Sequence, residues 1–500
     1  MLEIFNSIIL DKNIKTPLYV QLQGKLQQLI TEGILTPGLR LPSVRELSKS
    51  LAINQITVVS AYRRLEELGL CYSKPGSGIY VESTIPKVEI IKSPGAEMIT
   101  DELYINEDIA IINDGQVKVD ENTINFASAT PASDLFPVDD FKTALDEVLE
   151  RDKGNAFAYQ ESQGYMPLLE CIFDIVKNQI RCENTESIQV ISGAQQGIDI
   201  ISKALLKQGD CVIAESPTYK GAVAVFKSRG AEVIDIAMED GGPSMNIMEY
   251  QLKKYRPRLI YSIPSFQNPT GFSYTNENRK KLLELAEKYN TYVIEDGYVS
   301  DLDFENRNLS PLKQLDKNDR VIYIKSFSKI FMPGLRLGFM VVPYTLKNNI
   351  LEAKHTTDIS TSGLIQRAFD VYIRKGFWNR HMDFMYNTYK QRYMDLVKCL
   401  DSNLPKGITY TRPGGGLNVW LNLPYGFPVN TLLLQSAAQG VVFAPGRIFY
   451  GSNSTQKSNN IRLSFAAVDN QQISTGIETL CSIAGKLSSD QKPYTSMPIL

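Results

Sequence analysis

The chain has 500 residues, 43% of them hydrophobic and 22% charged, with a net charge of −2 at pH 7. This length is too great for one hydrophobic core, so two or three domains of ordinary globular protein are expected. Six scattered cysteines without a Cys-x-x-Cys pair and only two histidines argue against a zinc site, a disulfide framework or another metal centre. Without a secretion signal or an apolar run near ~20 residues, we expect a cytoplasmic protein that contacts no membrane.

Charge is distributed unevenly along the first quarter of the chain. Residues 11–83 carry nine Lys and Arg against six Asp and Glu, whereas residues 84–123 carry three against nine. A basic head followed by an acidic stretch is compatible with nucleic-acid binding by the head, although so small an excess is a weak indication by itself.

The head has the pattern of three helices and a hairpin. Apolar residues at helical spacing predict a helix over 16–31, a second helix begins at a Ser43 cap, and a third runs over 55–68. Two β-prone pieces within 70–81 surround a glycine-rich tip. Together these elements predict a winged helix-turn-helix.

In such a domain the third helix would enter the DNA major groove by its N-terminal end, and basic side chains would neutralise phosphates. From spacing alone, a small helical packing domain whose polar residues merely face water is an equally good interpretation. The candidate DNA-contacting residues are Arg40, Ser43, Arg45, Asn54, Gln55, Thr57, Ser60, Lys74 and Gly78.

Three segments of the head resemble the DNA-binding domain of the GntR family, over about residues 12–83. They are Arg-Leu-Pro-Ser-Val-Arg-Glu-Leu at 40–47, Thr-Val-Val-Ser-Ala-Tyr-Arg-Arg-Leu at 57–65 and Gly-Ser-Gly-Ile-Tyr-Val at 76–81. The resemblance implies binding to a double-stranded DNA operator. Members of the family usually carry an arginine where this chain has Gln55 and a basic residue where it has Ser60, so the operator sequence is left open.

Residues 84–123 have little periodicity and are expected to form a linker. From 124 to about 485, β-prone runs alternate with amphipathic ones, which is typical of an α/β domain with a largely parallel sheet. A smaller lobe is expected mainly from about residue 345, with β-prone pieces at 416–421 and 461–465. The strands predicted before it are 188–191, 211–214, 232–235, 259–262, 291–294 and 321–324.

Several candidate functional residues follow predicted strands, and active sites of open α/β sheets gather beyond the carboxyl ends of strands. Lys329 suits a Schiff-base amine, since lysine shifts its pKa readily when desolvated. The small-residue turn at 192–197 suits a phosphate at a helix N-terminus. Asp296 could hold a pyridine nitrogen protonated. Taken singly, each has an ordinary interpretation: a solvated lysine, a glycine-rich turn, a helix cap.

In this order and spacing, the motifs resemble a fold-type I pyridoxal-phosphate (PLP) enzyme of the class I and II aminotransferase group, over residues 124 to about 485. The resemblance implies a Schiff base at Lys329, a pyridine-nitrogen partner in Asp296, and an Arg462 that clamps a substrate or effector carboxylate. Asn268 and Tyr298 would bind the ring oxygen, and Tyr219 would stack on the ring. The phosphate would be held by Gly193, Ala194, Gln195, Ser326, Arg336 and Tyr159, the last from a partner subunit.

A GntR-type head joined to such a body resembles the MocR subfamily of transcriptional regulators. The resemblance implies a homodimeric, PLP-dependent regulator whose body senses an amino compound or PLP. The alternative is a working aminotransferase with a vestigial head, which Gln55 and Ser60 favour slightly. A head that binds only protein partners is a third interpretation. Effector, operator and the sign of regulation are left open by the sequence.

Overall fold

The computed structural model describes residues 5, 10, 18–31, 35–36, 38–51, 53–67, 70–74, 78–82, 122–451 and 459–490. The chain divides into two compact units, Met1–Met98 and Ile99–Leu500, which are called the head and the body. The predicted linker at 84–123 lies outside the described residues except for Asn122 and Thr123. In the parts of the chain that are described, no helix is long and apolar enough to cross a membrane.

The head is a winged helix-turn-helix, as predicted. Its helices are α1 (Leu18–Thr31), α2 (Val44–Ser50) and α3 (Gln55–Glu67), and an antiparallel hairpin of β1 (Cys71–Lys74) and β2 (Gly78–Val81) forms the wing. The helices exist because their apolar residues share one buried face, which includes Leu22, Leu26, Leu47, Val58 and Leu65.

Ser43 begins α2 with a reciprocal capping box. Its Oγ accepts a hydrogen bond from the Glu46 amide at 3.3 Å, and the Glu46 carboxylate accepts one from the Ser43 amide at 2.8 Å. Two amides that a helix N-terminus leaves without partners are thereby satisfied. The predicted cap is confirmed.

The body is α/β, built on a seven-stranded mixed sheet. Its spatial strand order is β4, β10, β9, β8, β7, β5, β6, and only β10 runs antiparallel to its neighbours. The strands are β4 (Ile188–Ile191), β5 (Cys211–Ser216), β6 (Glu232–Ala237), β7 (Leu259–Ser262), β8 (Tyr292–Asp296), β9 (Val321–Ser326) and β10 (Gly338–Val341). The six predicted strands are confirmed, and β10 was missed because its residues directly follow the motif around Arg336.

Both faces of this sheet are covered by helices, so its strands are apolar on both sides. Consecutive residues of β9 belong to different packing clusters: Tyr323 packs on one face and Ile324 on the other. The surrounding helices are α4 (Val138–Asp152), α5 (Met166–Val176), α6 (Ala194–Leu205), α7 (Lys220–Ser228), α8 (Met245–Tyr255), α9 (Asn276–Lys288), α10 (Leu312–Leu315), α11 (Lys347–Asp358) and α12 (Gly363–Arg374).

A second, four-stranded antiparallel sheet follows the 27-residue helix α13 (Phe377–Asn403). The order of its strands is β11 (Thr409–Tyr410), β12 (Asn418–Asn422), β15 (Asn460–Ser464) and β14 (Ala444–Pro445). A short β3 (Ile124–Asn125) pairs in parallel with β13 (Val441–Val442), and helices α14 (Val429–Ala437) and α15 (Asn470–Asp490) complete this part. The first described strand of the body is therefore paired with its C-terminal part.

Candidate functional site

The carboxyl ends of the parallel strands open onto a cavity of about 570 Å³. Chain segments that follow β5, β7 and β9 reach it. Its other side is closed by Arg462 of the smaller sheet and by Phe449 of the short 3-10 helix Gly446–Phe449. Of the residues predicted for the cofactor and the carboxylate, five line this cavity: Gln195, Tyr219, Asn268, Lys329 and Arg462. Residues more than 260 positions apart in the sequence thus meet at one site.

Lys329 lies just beyond β9, with its amine in a positively charged, water-poor environment. Burial lowers the pKa of this amine to about 8, and the nearby guanidinium groups of Arg462 and Arg336 act in the same direction. The backbone carbonyl of Lys329 accepts a hydrogen bond from the Tyr389 hydroxyl at 3.3 Å. A lysine with a lowered pKa offers a neutral, nucleophilic amine near physiological pH.

Asp296 ends β8 as a buried carboxylate with one oxygen unused. Its Oδ2 accepts a 2.8 Å hydrogen bond from Tyr261, while Oδ1 is buried and has no partner. Burial raises the pKa of Asp296 to about 6, against the opposing effects of the Tyr261 hydrogen bond, of Lys325 and Lys329, and of the Tyr298 backbone amide. Buried acceptor atoms are nearly always hydrogen-bonded, so this oxygen is expected to bind a donor. The protonated nitrogen of a pyridine ring is such a donor, so this residue fits PLP.

Arg462, on β15, reaches across to the turn after β7. Its Nη1 donates to Oδ1 of Asn268 at 2.9 Å, and its Nη2 donates to the carbonyl of Ala127. The guanidinium lies over the ring of Phe449, 4.9 Å from the centroid, and its Nε is buried without a partner. Burial lowers the pKa of Arg462 to about 10. An oriented guanidinium with spare donor capacity is suited to a carboxylate.

Tyr298 is buried beside this turn with its hydroxyl already engaged. The hydroxyl donates to the carbonyl of Phe266 at 2.9 Å and accepts from Nδ2 of Asn418 at 3.0 Å. Donation to the ring oxygen of a cofactor would therefore require its hydrogen to turn away from Phe266. Sequence reasoning predicted Tyr298 but not the amide that holds it.

The N-terminus of α6 forms a cradle with Arg336. Gly193 precedes α6 with φ of +89°, and a Cβ at this position would lie 2.7 Å from Nη2 of Arg336. The same Nη2 donates to the carbonyl of Ser192 at 2.7 Å. No acidic residue occupies the first turn of α6, so the amides of this helix end and the Arg336 guanidinium form a site suited to an anion. Ala194 begins this helix, and Ser326 ends β9 as a buried hydroxyl.

Tyr219 is fixed by a neighbour from α6. Its hydroxyl donates to Oε1 of Gln195 at 3.0 Å, and Nε2 of Gln195 donates to the carbonyl of Gly221. Burial raises the pKa of Tyr219, and the negative charge of Asp296 adds to the effect. The phenol ring is thus held near the carboxylate that would contact a pyridine nitrogen.

Tyr159 was predicted to contact the phosphate, but within a single chain it lies on the surface, outside the cavity. Its side chain is 84% exposed and does not line the cavity. Close to it in sequence, the Ser162 hydroxyl donates to the carbonyl of Ile359 at 2.5 Å. Tyr159 and the half-exposed Ile359 thus belong to chain segments that contact each other.

Several supporting residues of the site were not predicted. Tyr261 bonds Asp296, Asn418 bonds Tyr298, and Phe449 lies under Arg462. A signal existed only for Tyr261, which is a polar-tipped residue inside a short buried strand. Asn418 lies in the distant smaller sheet and Phe449 in the short helix between β14 and β15, and neither carries a local motif.

Two of the candidate DNA-contacting residues also build the head. Ser43 caps α2, and Oδ1 of Asn54 accepts a 2.9 Å hydrogen bond from the Ile56 amide at the start of α3. Gly78 has φ of +125°, and a Cβ there would lie 2.8 Å from Nε of Arg40. The hairpin can approach Arg40 this closely because Gly78 has no side chain.

The remaining candidates of the head are mostly exposed. The ammonium of Lys74 lies over the rings of Tyr72 and Tyr80, 5.5 and 5.0 Å from their centroids. Arg40, Arg45, Gln55 and Lys74 are exposed, whereas Thr57 and Ser60 are half-buried. The head therefore presents cations and polar groups from α2, α3 and the wing.

Two family models match the chain. "Bacterial regulatory proteins, gntR family" matches residues 18–81, and "Aminotransferase class I and II" matches residues 121–480. The body is similar to LysN, the alpha-aminoadipate aminotransferase of Thermus thermophilus, with 31% identity and a TM-score of 0.69 over 74% of this chain and 94% of that one.

Relatives fall into two groups by the part of the chain that they match. Aromatic-amino-acid aminotransferase 1 of Thermococcus litoralis is 31% identical over 72% of this chain and 87% of its own length. The probable rhizopine catabolism regulatory protein MocR of Rhizobium meliloti is 27% identical over 95% of both chains. The HTH-type transcriptional regulator YisV of Bacillus subtilis is 27% identical over 94% of this chain and 96% of its own.

The family matches agree with the arrangement of strands, cradle and lysine in the body and with the winged head. The chain belongs to the class I and II aminotransferase family, whose PLP-dependent fold it has, and with its gntR-family head it has the architecture of the MocR-type transcriptional regulators.

Proposed function

We propose that this protein is a PLP-dependent transcriptional regulator whose body senses an amino compound, or PLP itself, and changes how the head binds DNA. One observation carries the proposal. The regulators match this chain over 93–95% of its length, head included, whereas the aminotransferases match only the 71–72% that forms the body.

For the cofactor, we propose that Nζ of Lys329 holds PLP covalently and that Oδ1 of Asp296 accepts from its ring nitrogen. The orphaned oxygen of Asp296 and the lowered pKa of Lys329 support these roles. The phosphate would lie against the amides of Ala194 and Gln195, with Ser326 and Arg336 beside it and Gly193 leaving the space. Bound PLP supplies an electron-withdrawing ring, while the protein supplies orientation and charge.

For the remaining ring contacts, we propose that Tyr219 stacks on the pyridine face and that Asn268 and Tyr298 reach the ring oxygen. The hydrogen bond from Arg462 fixes the Asn268 amide with its Oδ1 toward Arg462, so Nδ2 is left to donate to the ring oxygen. The donor pattern therefore suits an anionic oxygen.

For the effector, we propose an amino compound with a carboxylate that Arg462 binds. The unpartnered Nε of Arg462 and the residues around it support this role. The apolar residues that line the same cavity include Val225, Phe443, Ile448 and Phe449, and Phe449 lies against the Arg462 guanidinium. The amine of such a compound would face Lys329, whose side chain lines the same cavity.

We also propose a homodimer in which Tyr159 completes the phosphate site of the partner subunit. Phe157 and Tyr159 are 69% and 84% exposed, and Ile359 is 50% exposed. The Ser162 contact joins the two segments that carry these residues. An exposed apolar group of this kind is typical of a protein interface.

For the head, we propose contacts with a double-stranded operator by the exposed Arg40, Arg45, Gln55 and Lys74, together with Thr57, Ser60 and the two capping residues. Two heads per dimer would bind two half-sites. We also propose a cytoplasmic location, because a DNA-binding role requires access to DNA.

A working aminotransferase is the second candidate function. It is favoured by the Lys329 amine, whose pKa of about 8 suits covalent chemistry, and by the aminotransferases among the relatives. Steady conversion of an amino acid and 2-oxoglutarate, lost in Lys329→Ala, would support this alternative.

The deciding experiment measures DNA binding by the PLP-loaded protein in a gel shift on the region upstream of its own gene. We expect binding at low salt and a changed affinity when one of a panel of amino acids and amines is added. The absorbance of the cofactor is read in the same samples. Absence of binding to this region at low salt would contradict the regulator proposal.

A further inference from the structure

The exposed face of α3 carries apolar side chains where the head would meet DNA. Ile56 is 72% exposed and Val59 is 48% exposed. They lie three residues apart and are therefore neighbours on the helix surface, beside the exposed Gln55. The opposite face of α3 is buried in the core of the head through Val58 and Tyr62.

The fold of the head does not account for these two side chains. One exposed apolar residue on a surface is ordinary. Here two exposed β-branched residues lie in the first two turns of one helix, although alanine or lysine would favour helix formation by a few tenths of a kcal/mol each. Both lie at the end of the helix that would enter the major groove.

Charge decides what kind of partner this face suits. Arg40, Arg45, Lys49 and Lys74 are exposed on the same unit, so a polyanion is favoured over an apolar protein surface. Within α3, however, the first basic residue is Arg63, two turns beyond Gln55. The first two turns therefore present no guanidinium or ammonium group to the bases.

We propose that the first two turns of α3 read A·T base pairs, with Gln55 hydrogen-bonded to an adenine and with Ile56 and Val59 packed against thymine methyl groups. In the major groove only thymine presents a C5 methyl, and a glutamine amide matches N6 and N7 of adenine. Guanine is read mainly by arginine or lysine, which these turns lack. This inference rests on the proposed DNA-binding function and specifies which bases it recognises.

The experiment selects binding sites for the full-length, PLP-loaded protein from a pool of random duplexes. We expect A·T pairs at the positions contacted by α3, and replacement of one such pair by G·C should weaken binding roughly five- to hundredfold. Thymine is then replaced by uracil at these positions, which removes only the methyl group. Each contacted methyl should change the affinity by about fourfold.

Ile56→Ala tests the side chain, and it should fold normally because the residue is exposed. Ile56→Ala should bind the thymine and uracil duplexes equally at the position that Ile56 contacts. Arg45→Ala is the matched control: it should weaken binding to every duplex and reduce the salt dependence, and it should keep the preference for thymine over uracil.

The outcomes separate this inference from the proposed function. If no duplex is bound at low salt, DNA binding itself is refuted. If duplexes are bound but guanine is preferred, or uracil and thymine are equivalent in the wild type, only the A·T assignment is overturned. A change in oligomeric state caused by Ile56→Ala would assign this face to a protein contact and would also overturn it.

Discussion

Nη1 of Arg462 donates a 2.9 Å hydrogen bond to Oδ1 of Asn268 and so joins the smaller sheet to the turn that follows β7. Arg462 is only 7% exposed, and its Nε has no partner. A buried guanidinium that is oriented by one amide and still has a spare donor is prepared to bind an anion. Because Asn268 would also face the cofactor ring, the same pair connects the proposed effector position to the cofactor position.

Arg462→Ala should weaken the response to the effector far more than the binding of the cofactor. We expect the response to carboxylate-bearing amino acids to weaken about tenfold or more, because a hydrogen bond to a charged group contributes roughly 1.5–3 kcal/mol. Binding of PLP should change much less. A spectral titration with amino acids measures both quantities.

The matched control for Arg462→Ala is the amine that corresponds to each amino acid without its carboxylate. Wild type and variant should respond to this amine alike. An unchanged response to the amino acid itself would remove Arg462 from the effector site, and that result is expected if PLP is the effector.

Lys329→Ala should abolish the absorbance band of a borohydride-reducible Schiff base with PLP, because it removes the amine that is proposed to bind PLP covalently. Lys280→Ala, at an exposed lysine of α9, is the control and should retain the absorbance. A borohydride-reducible absorbance band of a Schiff base that persists in Lys329→Ala would place the covalent link at another residue.

The lowered pKa of Lys329 predicts how covalent capture of PLP depends on pH. With the pKa at about 8 instead of the ordinary 10.5, the neutral amine becomes the major form above pH 8. The rate of capture by the cofactor-free protein should rise about tenfold per pH unit below pH 8 and level off above it. Stopped-flow absorbance measures this rate, and a rise that continues to pH 10 would contradict the lowered pKa.

Asp296→Asn should stabilise the cofactor-free protein at neutral pH and weaken its binding of PLP. Burial raises the pKa of this carboxyl from 3.8 to about 6 in the folded state. A raised folded-state pKa gives stability that is present below pH 4 and is lost as the pH rises through 6. The loss is on the order of 3 kcal/mol, since each pKa unit corresponds to about 1.4 kcal/mol.

Asn remains neutral over this range, so the gain in the free energy of unfolding should be largest near pH 7 and disappear toward pH 4. Urea unfolding of wild type and variant at several pH values measures this difference. A difference that does not vary with pH would show that the charge of Asp296 is not its cause.

The residues proposed to contact the cofactor were easier to predict from the sequence than the residues that hold them in place. Lys329 and Asp296 each follow a buried strand, and the carboxyl ends of parallel strands meet at one edge, so the sequence places them together. Asn418 bonds Tyr298 from the other sheet, 120 positions away. No local pattern indicates such a contact, because it depends on how the two sheets pack.

In the fold as well, strands marked by a local sequence pattern were predicted, and a strand without such a pattern was missed. The strands at 188–191 and 259–262 were predicted with the bounds that the structure has, since buried apolar runs mark them. β10 was missed: its four residues follow the turn at Arg336 without a separating helix, and antiparallel pairing with both neighbours leaves no βαβ signature.

Gly193→Ala should lower the affinity for PLP by crowding the phosphate cradle. Two costs are combined at this position: φ of +89°, which disfavours any side chain, and a Cβ that would lie 2.7 Å from Nη2 of Arg336. Gly209→Ala separates these costs, because Gly209 has φ of +85° and nothing within 4 Å of its Cβ position. Both variants should lose about 1–2 kcal/mol of stability from backbone strain. Only Gly193→Ala should release PLP during dialysis, and equal retention of PLP by the two variants would show that the cradle does not hold the phosphate.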